Sequence, residues 1–180
     1  RVTGAEKLPE GRFLFVCNHR SKFDPIISWY IFRKDHLAFI SKPENFNVPV
    51  FGRFIRKCCF MTIDRSDARS SLGTFTKAAE LMKNDVVSVG VYPEGTRNRD
   101  GSLLPFHDGV FIIARKADVP IVVATIDGTE KITHNYPWKR THIRLDIVGV
   151  IDRDFVNTHR TAAVGVAVRE MMENNLKGTE

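Results

Sequence analysis

At 180 residues with 43% apolar residues, the chain can bury one sizeable core, and the simplest reading is a single domain over residues 1–180. It contains no run of about eighteen apolar residues, which excludes a spanning helix within it, and no secretory-signal pattern or glycosylation site. The net charge of +6 sits entirely in residues 1–90, where 15 Lys/Arg face 9 Asp/Glu, so an anionic partner is expected: phosphate groups, an acidic membrane surface or nucleic acid.

Phe13-Leu14-Phe15-Val16-Cys17 is an apolar run of the kind a buried strand makes, and it passes into Asn18-His19-Arg20-Ser21-Lys22-Phe23-Asp24-Pro25. Asp24-Pro25 reads as an N-cap followed by proline at the first helical position. The helix it opens, to Phe32, is apolar all round, which fits either deep burial or contact with lipid. Strand, polar turn and helix in that order put the turn at the C-terminal edge of a sheet, where α/β proteins bind ligands.

A strand from Leu37 to Ser41, a loop from Lys42 to Val48 and a short helix from Pro49 to Lys57 come next. In that helix Val50, Phe51, Phe54, Ile55 and Cys58 share one face, and Arg53, Arg56 and Lys57 the other. An interfacial membrane helix needs that division; a surface helix packed on a core shows it too. Phe60 to Ile63 reads as a strand, and Asp67 as the cap of a long helix to about Lys83, with Leu72, Phe75, Ala79 and Met82 at helical spacing.

A strand at Val86 to Val91 leads into a polar loop from Pro93 to Asp108, then a helix near Val110 to Lys116. Strands at Ile121 to Ile126 and Ile143 to Val150, and a helix from His159 to Asn174, complete the order. This alternation predicts an α/β fold, one domain with a mixed, largely parallel β-sheet flanked by helices.

The chemistry concentrates in two turns. His19 and Asp24 are five residues apart, a separation a folded-back turn closes into an imidazole to carboxylate hydrogen bond, which would make His19 a base. Taken alone, Asp24 also reads as an ordinary N-cap and His19 as a loop histidine. In Tyr92-Pro93-Glu94-Gly95-Thr96-Arg97, Gly95 lets the backbone approach a ligand and Arg97 offers a planar fork for a phosphate. Glu94 then either orients that arginine or holds a substrate hydroxyl, unless the loop is simply a turn carrying an arginine to carboxylate pair. Gly90 and Gly95 have the opening spacing of a P-loop, but Thr96 stands at the lysine position, which disfavours nucleotide binding of that type.

Ser21 and Cys17 are conceivable nucleophiles, read more simply as a turn residue and a buried strand thiol. The remaining histidines, His36, His107, His134, His142 and His159, make no metal-binding spacing, so no metal is expected. Cys17, Cys58 and Cys59 make no Cys-x-x-Cys motif, which favours a reducing compartment.

The pair His19-x4-Asp24 within Asn-His-Arg-Ser-Lys-Phe-Asp and, downstream, Pro93-Glu94-Gly95-Thr96-Arg97 resembles the glycerolipid acyltransferase family, closest to the 1-acylglycerol-3-phosphate (lysophosphatidate) acyltransferases. Two further stretches match less closely. Lys42, Pro49, Phe51-Gly52 and Ile63-Asp64-Arg65 resemble the family's second block, with Cys59 where glycine is usual and Thr62 where an aromatic residue is. Val119-Pro120-Ile121-Val122-Val123 resembles the fourth, with Val123 in place of a frequent proline. The resemblance spans about residues 13–126.

It implies that His19 deprotonates the free hydroxyl of lysophosphatidate while Asp24 orients and charge-stabilises it. It further implies that Arg97, with Arg65 and Lys42, binds the acceptor phosphate beside Glu94, Gly95 and Thr96. The donor would be a thioester, acyl-CoA or acyl-ACP, with no cofactor, and the oxyanion would be met by backbone N–H groups near Asn18 or in the Gly95 turn. Glycerol 3-phosphate or a lysophospholipid are alternative acceptors, and a non-catalytic anionic-lipid-binding module is the rival reading; no nucleic-acid motif accompanies the charge. The expected location is peripheral, on the cytoplasmic face of a membrane. The start at Arg1 fits a preceding, anchoring segment having been removed.

Overall fold

The structure, a computed structural model, describes residues 1–64 and 68–178. Seven strands form one sheet in the order β1-β7-β6-β2-β5-β3-β4. They are β1 (Val2–Thr3), β2 (Leu14–Cys17), β3 (Leu37–Ser41), β4 (Met61–Thr62), β5 (Ser88–Val91), β6 (Ile121–Asp127) and β7 (Arg144–Ile151). All neighbours pair parallel except β6 and β7. This is the mixed, largely parallel sheet expected.

The central strands read as unbroken apolar runs because both faces are covered: all four residues of β2 and of β5 are buried. Phe32, Phe15 and Phe39 pack as an aromatic cluster, with ring centroids 4.9 and 6.3 Å apart. Gly90 makes room for it, since a Cβ there would lie 2.3 Å from the Phe39 ring. The glycine that suggested phosphate-loop spacing is therefore a packing residue of β5.

The helices are α1 (Asp24–Ile31), α2 (Phe51–Lys57), α3 (Ala68–Lys83), α4 (Ile112–Ala117), α5 (Ile132–Asn135), α6 (Arg153–Thr158) and α7 (Thr161–Lys177). Several boundaries differ from expectation for local reasons. Val50 takes φ 65, so the helix expected from Pro49 starts at Phe51, after a 3-10 turn over Pro43–Asn47. Extended backbone at Arg160, φ −66 and ψ 151, starts the closing helix at Thr161 and not His159, and separates it from α6, which the sequence reading did not expect. The strand expected over Phe60 to Ile63 is β4, shortened to Met61–Thr62, and the edge strand β1, two residues long, is too short to show periodicity. Asp67 lies outside the described residues.

The apolar side chains of α2 are used partly on the domain itself. Ile55 is fully buried, and Phe54 meets Trp29 of α1 edge to face at 4.8 Å. Along α1 the buried residues are Asp24 and Ser28, while Ile26 and Tyr30 are exposed, so this apolar helix is only half sunk. No helix among the described residues is long and apolar enough to cross a membrane.

Because β2, β3, β4, β5 and β6 run the same way, the segments that follow them all leave from one edge of the sheet. Strand order sets β2 and β5 side by side at the middle of that edge.

Candidate active site

At the end of β2 the main chain turns away from the sheet, and Asn18 covers the break. Its buried side-chain amide accepts from the Ile126 N–H at 2.7 Å and donates to the Ile126 carbonyl at 3.0 Å, continuing the β2–β6 pairing. The next residue, His19, is thereby set just beyond the sheet edge.

Asp24 heads α1 without capping it; Phe23 holds the cap position. Its carboxylate folds back over the turn instead, and Oδ2 accepts from the Arg20 and Ser21 N–H groups, each at 2.7 Å. The same oxygen lies 2.8 Å from His19 Nδ1. A carboxylate only accepts, so Nδ1 carries the proton and Nε2 presents a free lone pair. The other oxygen, Oδ1, accepts from the Thr129 hydroxyl, which is buried at the start of the segment after β6. Asp24 is fully buried, and these four donors compensate its charge. Thr129 lies 105 residues from Asp24 and outside the motifs, and no local sequence signal marks it.

The loop after β5 grips His19 by its backbone. Glu94, buried, accepts from the His19 N–H at 2.8 Å and from the Leu104 N–H at 2.9 Å, and Asn98 N–H donates to the His19 carbonyl at 2.8 Å. Both oxygens of Glu94 thus hold backbone, and it makes no ion pair with Arg97, the partner expected for it. Burial raises the Glu94 carboxyl above its ordinary value, opposed by those two N–H donors and by His19 and Arg169. Gly95, at φ 68, closes the turn by donating its N–H to the Tyr92 carbonyl at 3.0 Å. The N–H groups of His19, Arg20, Ser21 and Gly95 are all engaged within the turns.

Tyr92 stacks its ring on His19, centroids 4.2 Å apart and planes within 16°, and its other neighbour Phe39 lies parallel at 5.4 Å. The histidine is thus seated on the aromatic core. Burial pushes the Tyr92 hydroxyl well above its ordinary value, so it stays protonated. Burial likewise raises the Cys17 thiol well above its ordinary value, which makes it a poor nucleophile. Ser21 Oγ accepts from the Phe23 N–H at 3.3 Å, as a turn residue does.

Two cavities adjoin these turns, one bordered by Tyr92, on which His19 stacks, and the other by Ser21. One, about 470 Å³, has walls from Ile40, Ile63, Phe75, Val91, Tyr92 and Val110 and is mostly apolar. The other, about 510 Å³, has walls from Lys22, Arg97, Arg99 and His134 with Ser21, Glu130 and Thr133. Among the described residues Lys22, Arg97 and Arg99 form no ion pair. Glu130 is occupied by Arg20, whose Nη2 lies 3.2 Å from both Glu130 and Asp127. Sequence reasoning missed Arg99, two residues from Arg97, and Lys22 and His134, which the fold brings to the same cavity. Thr96 is exposed beside Arg97, Lys42 follows β3 and lines neither cavity, and Arg65 lies outside the described residues. No group of three or more His, Cys, Asp or Glu among the described residues could hold a metal ion.

Comparison with known proteins fits this geometry. The family model described as Acyltransferase matches residues 1–127, which contains the stretch singled out from sequence. The chloroplastic 1-acyl-sn-glycerol-3-phosphate acyltransferase BAT2 of Brassica napus is 38% identical over 133 residues, 73% of this chain and 38% of that protein. The 1-acyl-sn-glycerol-3-phosphate acyltransferase of Escherichia coli is 30% identical over 142 residues, 78% of this chain and 56% of that one. The chain therefore spans roughly 38% to 56% of the length of these two relatives. The crystal structure of the 1-acyl-sn-glycerophosphate acyltransferase PlsC from Thermotoga maritima superposes with a TM-score of 0.77 at 28% identity, over 99% of this chain and 70% of that one. With its sequence matched over residues 1–127 and its fold shared end to end with PlsC, this chain belongs to the acyltransferase family.

Proposed function

We propose that the chain is the catalytic domain of an enzyme that moves an acyl group from a thioester, acyl-CoA or acyl-ACP, to the free hydroxyl of lysophosphatidate, giving phosphatidic acid. The observation that carries this reading is His19, oriented as a base by Asp24, stacked on Tyr92 of an apolar cavity and two residues from Ser21 of a cationic one. The names of the relatives supply the acceptor: they are acyltransferases of 1-acyl-sn-glycerol 3-phosphate.

In this mechanism Arg97, with Lys22 and Arg99, holds the acceptor phosphate, and the fixed phosphate presents the hydroxyl to Nε2. The acyl chain of the donor occupies the apolar cavity. Nε2 takes the hydroxyl proton as the oxygen attacks the thioester carbonyl; Asp24 stabilises the imidazolium that forms. The C–O bond forms, the C–S bond breaks, and the departing sulfur receives the proton from His19. No cofactor takes part. Acceptor and product are both lipids, so on this reading the domain works at a membrane surface, peripheral to its cytoplasmic face.

The test is free-thiol release from an acyl-CoA, and separately from an acyl-ACP, with dispersed lysophosphatidate, beside His19→Ala and a no-acceptor control. Acceptor-dependent release that disappears in His19→Ala is the expected result. No release from either donor, with the protein still binding anionic lipid, would favour the non-catalytic module instead.

A further inference from the structure

The segment joining β6 to β7 carries an unusual surface. Trp138 is 88% exposed and Tyr136 78% exposed, the greatest exposures of any aromatic side chain on the domain. They stand in Tyr136-Pro137-Trp138-Lys139-Arg140, which is exposed throughout. From Lys131 to Leu145 the sequence holds four Lys/Arg and two His and no carboxylate, although residues 91–180 as a whole balance at 12 of each charge. Indole and phenol rings among cations suit the interface of an anionic bilayer, where the ring sits at headgroup depth and each cation meets a phosphate. Solvent offers such rings nothing comparable.

Topology gives this segment its direction. It leaves β6 from the same sheet edge that bears His19 after β2 and the Arg97 loop after β5. His134, within it, lines the cationic cavity, so the segment begins at that cavity and carries Lys139 and Arg140 further along. On the other flank of β2 and β5, the segment after β3 exposes Val48 at 46% and Val50 at 82%. Exposed apolar tips thus bracket the candidate site on both sides.

We infer that this sheet edge is a membrane-docking surface, anchored by Trp138 and Tyr136 in an anionic lipid interface, with the cationic cavity facing the headgroups. The inference rests on the proposed lipid acceptor, and it adds a route: an acceptor already in the bilayer would reach Arg97 and His19 by lateral motion without leaving the membrane.

The experiment uses the full chain with vesicles of phosphatidylcholine containing phosphatidylglycerol, and with brominated acyl chains as a depth probe. Expected are sedimentation with the anionic vesicles, tryptophan quenching by bromine, and loss of that quenching in Trp138→Ala, because Trp29 is half-buried against Phe54. Trp138→Ala should weaken vesicle affinity about tenfold, and Lys139→Ala with Arg140→Ala roughly thirtyfold. Turnover of a short-chain, water-soluble lysophosphatidate should be unchanged in both variants. Equal vesicle affinity of Trp138→Ala and the parent, or quenching that survives the substitution, would overturn the docking surface and leave the segment as a protein contact or bare surface. Failure of the parent to turn over the soluble acceptor would instead count against the acyltransferase reading, whatever the vesicles show.

Discussion

The two cavities, one bordered by Tyr92 and the other by Ser21, are nearly equal in size and opposite in making. The apolar one is walled by the ends of β3 and β5 with α3 and the 3-10 turn at Asp108–Phe111, side chains that the core would have placed in any case. The cationic one is assembled from three connecting segments, after β2, β5 and β6, and among the described residues its Lys22, Arg97 and Arg99 form no ion pair. Core packing supplies an apolar slot as an extension of itself, whereas a phosphate site needs unpaired charge, which only segments at the edge of the sheet can present. An amphiphilic reaction then needs its base at the seam. Substitutions on the two sides should accordingly affect different substrates.

The largest effect is expected at the seam. His19→Ala should lower turnover about a thousandfold with either substrate varied, while thermal unfolding changes little, because the side chain is partly exposed. Asp24→Ala should match that loss and also unfold more easily, by about 3 kcal/mol, since buried donors lose their acceptor. That makes His19→Ala the cleaner test of chemistry. If stopped-flow or steady-state rates for His19→Ala stay within tenfold of the parent, the base assignment is wrong.

Arg97→Ala comes next, with about a thirtyfold rise in KM for the phosphorylated acceptor and an unchanged KM for the thioester. A rise confined to the thioester would move Arg97 to the donor side and reverse the roles of the cavities. Val110→Trp, filling the apolar cavity, should cost about tenfold with a long acyl donor and little with a short one; chain length assayed across a donor series reads it directly.

The smallest effects concern what holds His19 still. Thr129→Val should lower kcat about fivefold, leaving KM alone, because Asp24 loses one hydrogen bond. Tyr92→Leu should lower kcat about threefold, while Tyr92→Phe, which keeps the stacked ring, should not. Equal losses in the leucine and phenylalanine variants would credit the hydroxyl instead of the stacking.

What the sequence revealed of this arrangement follows the range of its signals. His19, Asp24 and the Glu94 to Arg97 loop were legible because each lies within a few residues of a strand end, where residue type and spacing carry the chemistry. Thr129 was not, because one threonine at the start of a connecting segment has no pattern of its own. The partners of Glu94 were hidden for a different reason. Arg97 is its natural partner by proximity in sequence, but the donors it accepts from are backbone groups of His19 and Leu104, and backbone donors leave no trace in residue types. Among the helices, the apolar pattern of Pro49 to Lys57 was real, yet the turn at Val50 and the packing of Ile55 depend on tertiary contacts. The sheet's largely parallel order was readable from alternation, whereas which strand reverses was not, since the direction of β7, paired with β6 on one side and β1 on the other, is decided by tertiary neighbours.

The stacking of Tyr92 on His19 also has a spectroscopic consequence. A ring lying face-on at 4.2 Å shields the protons of its neighbour, so the His19 carbon-bound resonances should lie upfield of those from residues without such a stack. Only His159, stacked on Phe155 at 3.9 Å, shares that situation among the six histidines. Proton magnetic resonance can therefore sort the candidate base from four of its five companions by chemical shift alone, and a single His159 substitution completes the assignment. The titration of His19 could then be followed in the intact protein, first free and then with each substrate added, reporting on the proton acceptor without a turnover assay.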